Sequence, residues 1–321
     1  MKLHDVGIDL TREGGFTCLE QLEAELAYYW QNGFRLLEIN PSPFNLLANG
    51  ELRRPQLANW LAVLGNFSFR YTIHAPDRLN LAYDPRRELC RTMMRSLFTI
   101  CQALEARRLT VHSGLYALEE AYHGLQPALP TDEELAAGAR QEVAALKELA
   151  PQAADAGVTI GLENCPPYQW EIALLARFGL GREALGKYHA RLRLLPIVRQ
   201  LEAIDHPSVG LTLDAGHLFL AANLLDFDYL EAVKTAAPWV RHLHANDNYG
   251  RLDRGWLPLV ERLPFGEGDL HLPPGWGRIP LSALLALLPD YEGDLILEIK
   301  PLYRDYFAQA RQTMLDMVRD G

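Results

Sequence analysis

The sequence predicts an α/β fold: one (β/α)8 TIM barrel spanning all 321 residues. Three observations predict it. Short β-branched or apolar runs alternate with long helical patterns eight times over. No break in composition divides the chain. Six consecutive strand runs, the third to the eighth, end in His, Glu or Asp, and the C-terminal strand ends of a barrel share one mouth. The alternative is an open doubly wound sheet. It would carry a glycine fingerprint after the first strand, and Val6–Gly14 contains no Gly-x-Gly-x-x-Gly.

The elements follow in order. The first strand is Val6–Leu10, and a helix covers Leu19–Trp30, ending near Gly33. Leu36–Asn40 and the helix Gln56–Leu64 form the second unit, and Tyr71–Ala75 with Glu88–Ala106 the third. Leu109–His112 precedes a helix over Glu133–Ala156, opened by Thr131 and Glu134 in a capping-box spacing and kinked or broken at Pro151. Val158–Glu163 is followed by Leu192–Ile204, Val209–Asp214 by Tyr229–Ala236, and Val240–His244 by Leu281–Leu288. Leu295–Ile299 and Tyr306–Val318 close the chain. Two connections are long, about 165–191 and 245–279. Both follow strands, so both belong at the mouth, where long loops form binding walls and lids.

Composition narrows the function. The formal net charge is −10, which opposes duplex DNA as a partner, because affinity for a polyanion rests on Lys and Arg neutralising phosphates. No apolar run reaches the roughly 18 residues of a membrane span. Asp5 and Asp9 fall where a signal peptide needs an apolar core, so a cytoplasmic protein is expected. Cys18, Cys90, Cys101 and Cys165 make no Cys-x-x-Cys pair and read as reduced thiols.

The strand ends carry the chemistry: His74, His112, Glu163, Asp214 with His217 three residues on, His244 and Glu298. Imidazole and carboxylate are ligands that zinc and manganese accept. Each residue taken singly has a plainer role, as a polar strand end or, for Asp214, a helix cap. Six in succession favour a metal site. Alternation sends His242 and His244 to the same side of their strand, and His244 lies nearer the mouth. His242 is expected to be its buried partner.

These motifs resemble the xylose isomerase-like superfamily and, within it, the endonuclease IV family. HAP with LNLA, VHSG, GLEN, LDAGH, HAND and LILEIKP carry the resemblance. It implies a set of metal ligands: His74, His112, Glu163, Asp214, His217, His244 and Glu298. The family has an Asp-x-His shortly before a Gly-x-Gly. Before Gly266–Gly268 the corresponding positions are Val260 and Arg262, which cannot ligate, and before Gly275–Gly277 they are Asp269 and His271. The second register completes nine ligands and leaves Asn248–Gly268 as an insertion.

Two enzymes follow from the resemblance. The first is a phosphoester hydrolase with up to three ions, acting on a small sugar or phosphorylated compound. The alternative is a one-metal sugar isomerase or epimerase that uses Glu163, Asp214, His244 and Glu298. Glu163 and Glu298 are the catalytic carboxylates in either. Arg251, Arg254, Trp256, Trp276 and Arg278 in the second long loop are candidates for gripping substrate. The substrate, the oligomeric state and the choice of zinc or manganese are open at this point.

Overall fold

The computed structural model describes residues 1–10, 15–82, 86–112, 114, 117–124, 128–253 and 257–320. Eight parallel strands close into a barrel: β1 (Lys2–Asp9), β2 (Leu36–Ile39), β3 (Arg70–His74), β4 (Arg108–Val111), β5 (Thr159–Glu163), β6 (Val209–Asp214), β7 (Val240–Ala245) and β8 (Glu292–Leu297). Each strand pairs with its neighbours in sequence, and β1 pairs with β8 to close the ring. The connections that return each chain to a parallel start are helical, as parallel pairing requires.

The helices cover the outside with apolar faces. Leu22, Leu26 and Tyr29 of the helix Leu19–Gln31 are buried, as are Met94, Leu97, Phe98 and Cys101 of the helix Arg87–Ala103. The longest helix, Asp132–Asp155, begins at the Thr131–Glu134 capping box and runs unbroken through Pro151. The expected break at Pro151 is therefore not a break. No helix among the described residues is long and apolar enough to cross a membrane.

The inside of the barrel is partly polar. The Thr110 and Thr212 hydroxyls meet at 3.3 Å, Thr72 donates to Glu38 at 2.8 Å, and His242 and Glu38 are almost fully buried. Gly161 leaves room for Thr212, whose hydroxyl would lie 2.0 Å from a Cβ there. These groups form a floor below the strand ends.

Two helices lie in connections read as loop. Ala215–Leu225 follows β6 directly, capped by Asp214, and Gln169–Arg177 lies within the connection after β5. In the other long connection, Asp247 ties the chain down. Its carboxylate accepts the backbone N–H groups of Asn248 and Gly275 at 2.9 Å and of Ile279 at 3.1 Å.

Candidate active site

Every strand end from β3 to β8 delivers its residue to the mouth, and parallel register sets their neighbours. Asp214 pairs beside His244, and His244 beside Ile296, one residue before the end of β8. Glu163 stands at the centre, with no exposed surface. Its Oε2 lies 3.2 Å from His74 Nε2 and 2.5 Å from His112 Nε2. Its Oε1 lies 2.8 Å from His244 Nδ1, which is also 3.1 Å from Glu298 Oε1. Burial alone would raise the Glu163 carboxyl, but the His112 and His244 charges hold it well below the usual range.

Beside this centre, His217, Asp269 and His271 form a second group. Asp269 Oδ2 is 3.2 Å from His217 Nε2 and 2.7 Å from His271 Nε2. His271 reaches this position with a left-handed backbone, φ 45°, which is costly for a side chain other than glycine. Asp214 has two jobs. It caps the helix Ala215–Leu225 by accepting the His217 N–H at 2.6 Å, and its side chain lies with those of Glu163, His244 and Glu298. Burial pushes its carboxyl up to about 7.

The donor chemistry can be tested for fit to a cation. His74 Nδ1 is 2.7 Å from the Ala75 carbonyl, His217 Nδ1 3.0 Å from Asn164 O, and His271 Nδ1 2.7 Å from Glu298 O. A carbonyl only accepts, so each Nδ1 carries the proton. Each Nε2 then points a lone pair, or a second proton, at a carboxylate oxygen. Two lone pairs facing each other repel, so a cation or a proton belongs between them. Burial alone would lower His74, but Glu163 overrides it and raises its pKa to about 10. His217 and His271 are raised as well, against the cost of burial, by Asp214 and Asp269 for the first and by Asp269 for the second. The described residues fit divalent ions in five groups: His74–His112–Glu163, Glu163–Asp214–His244–Glu298 and His217–Asp269–His271, and two that include Glu38, with His242 and His244 or with His74 and Glu298.

A cavity of about 530 Å³ opens above them. Its wall includes Asp9, Asn40, Tyr168, Gln169, Leu252, Asp253, Arg262 and Lys300. The insertion after β7 thus supplies part of the wall. The substrate-gripping residues read from that loop fare differently. Arg251 is exposed, donates to the Phe265 carbonyl at 2.7 Å and borders a shallower recess beside the cavity. Arg254 and Trp256 lie outside the described residues. Trp276 is not in the cavity wall: its ring packs against Tyr306 at 4.7 Å and Tyr303 at 5.8 Å, a better apolar partner than the polar mouth. Arg278 is exposed and also absent from the wall; its backbone N–H, not its charge, makes the tie, to Asn248 O at 2.8 Å.

Sequence reasoning missed Glu38. Reading β2 to Asn40 put the strand end two residues later, so Glu38 was passed over. The signal was present, since a single acid in the run LLEI is out of place unless it points inward to a partner.

The comparisons with known proteins agree on the fold. A family model described as xylose isomerase-like TIM barrel matches residues 26–315. A structure of a D-tagatose 3-epimerase-like protein superposes with a TM-score of 0.66 at 20% identity, covering 98% of each chain. D-psicose 3-epimerase from Clostridium cellulolyticum H10 gives 0.62 at 17%, again with 98% of each chain. The IolI protein with a bound zinc atom gives 0.61 at 17%, over 98% of this chain and 97% of that one. At these identities the likeness is one of fold. An uncharacterized protein of Methanocaldococcus jannaschii is 32% identical over 126 residues, which are 39% of this chain and 34% of the relative. This chain thus spans about a third of that relative's length. With the closed barrel and a family model that covers all but its two ends, the chain belongs to the xylose isomerase-like TIM barrel family, an enzyme fold.

Proposed function

We propose that this protein is a divalent-metal-dependent isomerase or epimerase of a small sugar. One observation carries the reading: His244 Nδ1 faces two glutamates, Glu163 at 2.8 Å and Glu298 at 3.1 Å, and Glu298 lines the cavity. A cation position shared by two carboxylates is what proton exchange at a sugar carbon needs. When bound, a divalent ion polarises a carbonyl and its neighbouring hydroxyl. Glu298 would take the proton from the carbon that carries this hydroxyl, and Glu163 would pass to the opposite face a proton drawn from the His74 imidazole, whose Nε2 lies 3.2 Å from its Oε2. His244 charge holds Glu298 below the usual carboxylate range in spite of burial, so it is ionised and able to act as a base.

The cavity wall supports an uncharged substrate. Its carboxylates, Asp9, Glu38, Asp77, Asp253, Asp269 and Glu298, face Arg262, Lys300 and the imidazoles of His74, His112, His217 and His271, and Arg262 lies 3.5 Å from Asp253. With these charges largely answered among themselves, a neutral polyol finds hydrogen-bond partners there without bringing a charge of its own. The tagatose-, psicose- and ribulose-epimerase structures that share the fold point the same way.

Phosphoester hydrolysis, which the motifs put first, stands second. Its specific support is the two further groups, His74–His112–Glu163 and His217–Asp269–His271, because a set of neighbouring ions suits phosphate transfer. The test is to load chelator-stripped protein with manganese or zinc and assay ketopentoses and ketohexoses for epimerisation, beside bis(p-nitrophenyl) phosphate for hydrolysis. Ketose conversion that is lost with chelator is the expected result. Phosphodiester hydrolysis with no sugar conversion would reverse the order of the two readings.

A further inference from the structure

Below the mouth lies a carboxylate that none of the metal motifs contains. Glu38, from β2, is 2% exposed. An ionised group at that depth is strongly unfavourable unless it is paired. Its Oε2 accepts from the Thr72 hydroxyl at 2.8 Å and lies 3.2 Å from His242 Nε2. Its Oε1 lies 2.9 Å from His244 Nε2, close enough for an ion pair though not aligned as a full hydrogen bond. His242 packs edge-on against the His244 ring, centroids 5.1 Å apart.

His244 is therefore wedged between one carboxylate below and two above. An imidazole has only two nitrogens, joined through Cε1 and pointing in divergent in-plane directions, so fixing one fixes the other. With Nε2 against Glu38, Nδ1 faces Glu163 and Glu298. Turning the ring over by about 180° would set carbon against all three carboxylates. The ring's orientation is thus decided from beneath, by a strand that supplies none of the nine candidate ligands.

We infer that Glu38 is the positioning residue of His244, with Thr72 and His242 holding Glu38 in turn. The inference rests on the proposed metal role of His244. Partners of this kind around a metal-binding imidazole typically change metal affinity by about 10–100-fold.

Glu38→Leu and Glu38→Gln test it, in metal-stripped protein titrated with zinc against a chromophoric chelator. Crystals of each variant, metal-free and zinc-soaked, give the His244 ring orientation and the occupancy of each ion. In Glu38→Leu we expect the ion beside Glu163 and Glu298 to bind about 10–100-fold more weakly. The ring turns in the metal-free crystal, and occupancy between His217, Asp269 and His271 is unchanged. Glu38→Gln keeps an oxygen opposite Nε2 and recovers most of the loss, which a filler of the core would not do. Wild-type affinity in Glu38→Leu, or an equal loss in both variants with an unmoved ring, overturns the inference. Should Glu38→Leu not fold, Thr72→Val removes the donor that holds Glu38 and is expected to weaken the same ion; unchanged affinity there overturns it too. If the unaltered protein binds no zinc, the proposed function falls, and the metal-free ring orientation alone judges Glu38.

Discussion

His271 adopts φ 45° to set Nε2 against Asp269, while its Nδ1 is bound to the Glu298 carbonyl. Such a conformation persists where surrounding bonds impose it, so His271→Ala is expected to relax the loop and remove the ion of that group. Under the isomerase reading, sugar conversion in His271→Ala stays within several-fold of wild type, because the side chains of Glu163, Asp214, His244 and Glu298 remain and only the bond to the Glu298 carbonyl is lost. A collapse of activity would favour the hydrolase. Glu163→Ala and Asp214→Ala are expected to abolish both metal retention and activity with the barrel folded by circular dichroism; full occupancy in both would sink the metal assignment. Titration gives a further test on metal-free protein. The folded-state pKa of His74 is raised from 6.5 to about 10, so its stabilisation is complete below 6.5 and is lost as pH rises through 10. Asp214, raised from 3.8 to about 7, acts in the same sense, losing its contribution as pH climbs through 7. Glu163 and Asp269 are lowered, so theirs is lost on acidification. The melting temperature of metal-free protein should fall from pH 6.5 toward pH 10. Added metal should flatten that fall, because it takes the place of the protons. A metal-free melting temperature that rises over this range would contradict the assignment.

Helices and strands hold these groups through close backbone approaches. Gly216 opens the helix Ala215–Leu225 where a Cβ would meet Asn246 Oδ1 at 2.0 Å, and Asn246 donates to Asp214 Oδ2 at 3.3 Å. Gly216→Ala should therefore cost about 1–3 kcal/mol by overpacking and also weaken metal binding, read by chemical denaturation and zinc titration. No change in either would show that the helix start yields freely. Asp247→Ala leaves three backbone N–H groups without their acceptor and is expected to destabilise by about 1–3 kcal/mol or more. These elements also mark how far the sequence could be read. The strands were legible because their apolar runs are short and end in His, Asp or Glu, and the Thr131 cap was legible because its partner Glu134 is local. The helix Ala215–Leu225 was not, because Ala215, Leu218, Leu220, Ala221 and Leu224 are buried around it and leave no polar face to set a period. Pro151 misled because a proline late in a long packed helix is tolerated when tertiary contacts hold the rest. Trp276 misled because an aromatic in an active-site loop packs on other aromatics as readily as on a ligand. Glu38 was hidden by its depth: its partners, His242 and His244, are some 200 positions away in the chain.

The closed barrel gathers residues from β1, β2, β3, the ends of β4 and β8 and two long connections around one cavity. The net charge of −10 sets what can approach it. An abasic-site duplex should bind weakly at physiological salt and be incised poorly, since binding depends on neutralised phosphates. Nanomolar binding in a gel-shift assay, or efficient incision, would overturn the choice of a small sugar. Proton exchange between Glu163, Glu298 and a sugar carbon is read by incubating metal-loaded protein with a ketose in D2O and analysing the recovered sugar by mass spectrometry and NMR. Deuterium is expected at the carbon next to the carbonyl, and is lost with chelator and in Glu298→Gln. Metal-loaded protein that leaves every ketose free of deuterium, yet cleaves a phosphodiester, would contradict it.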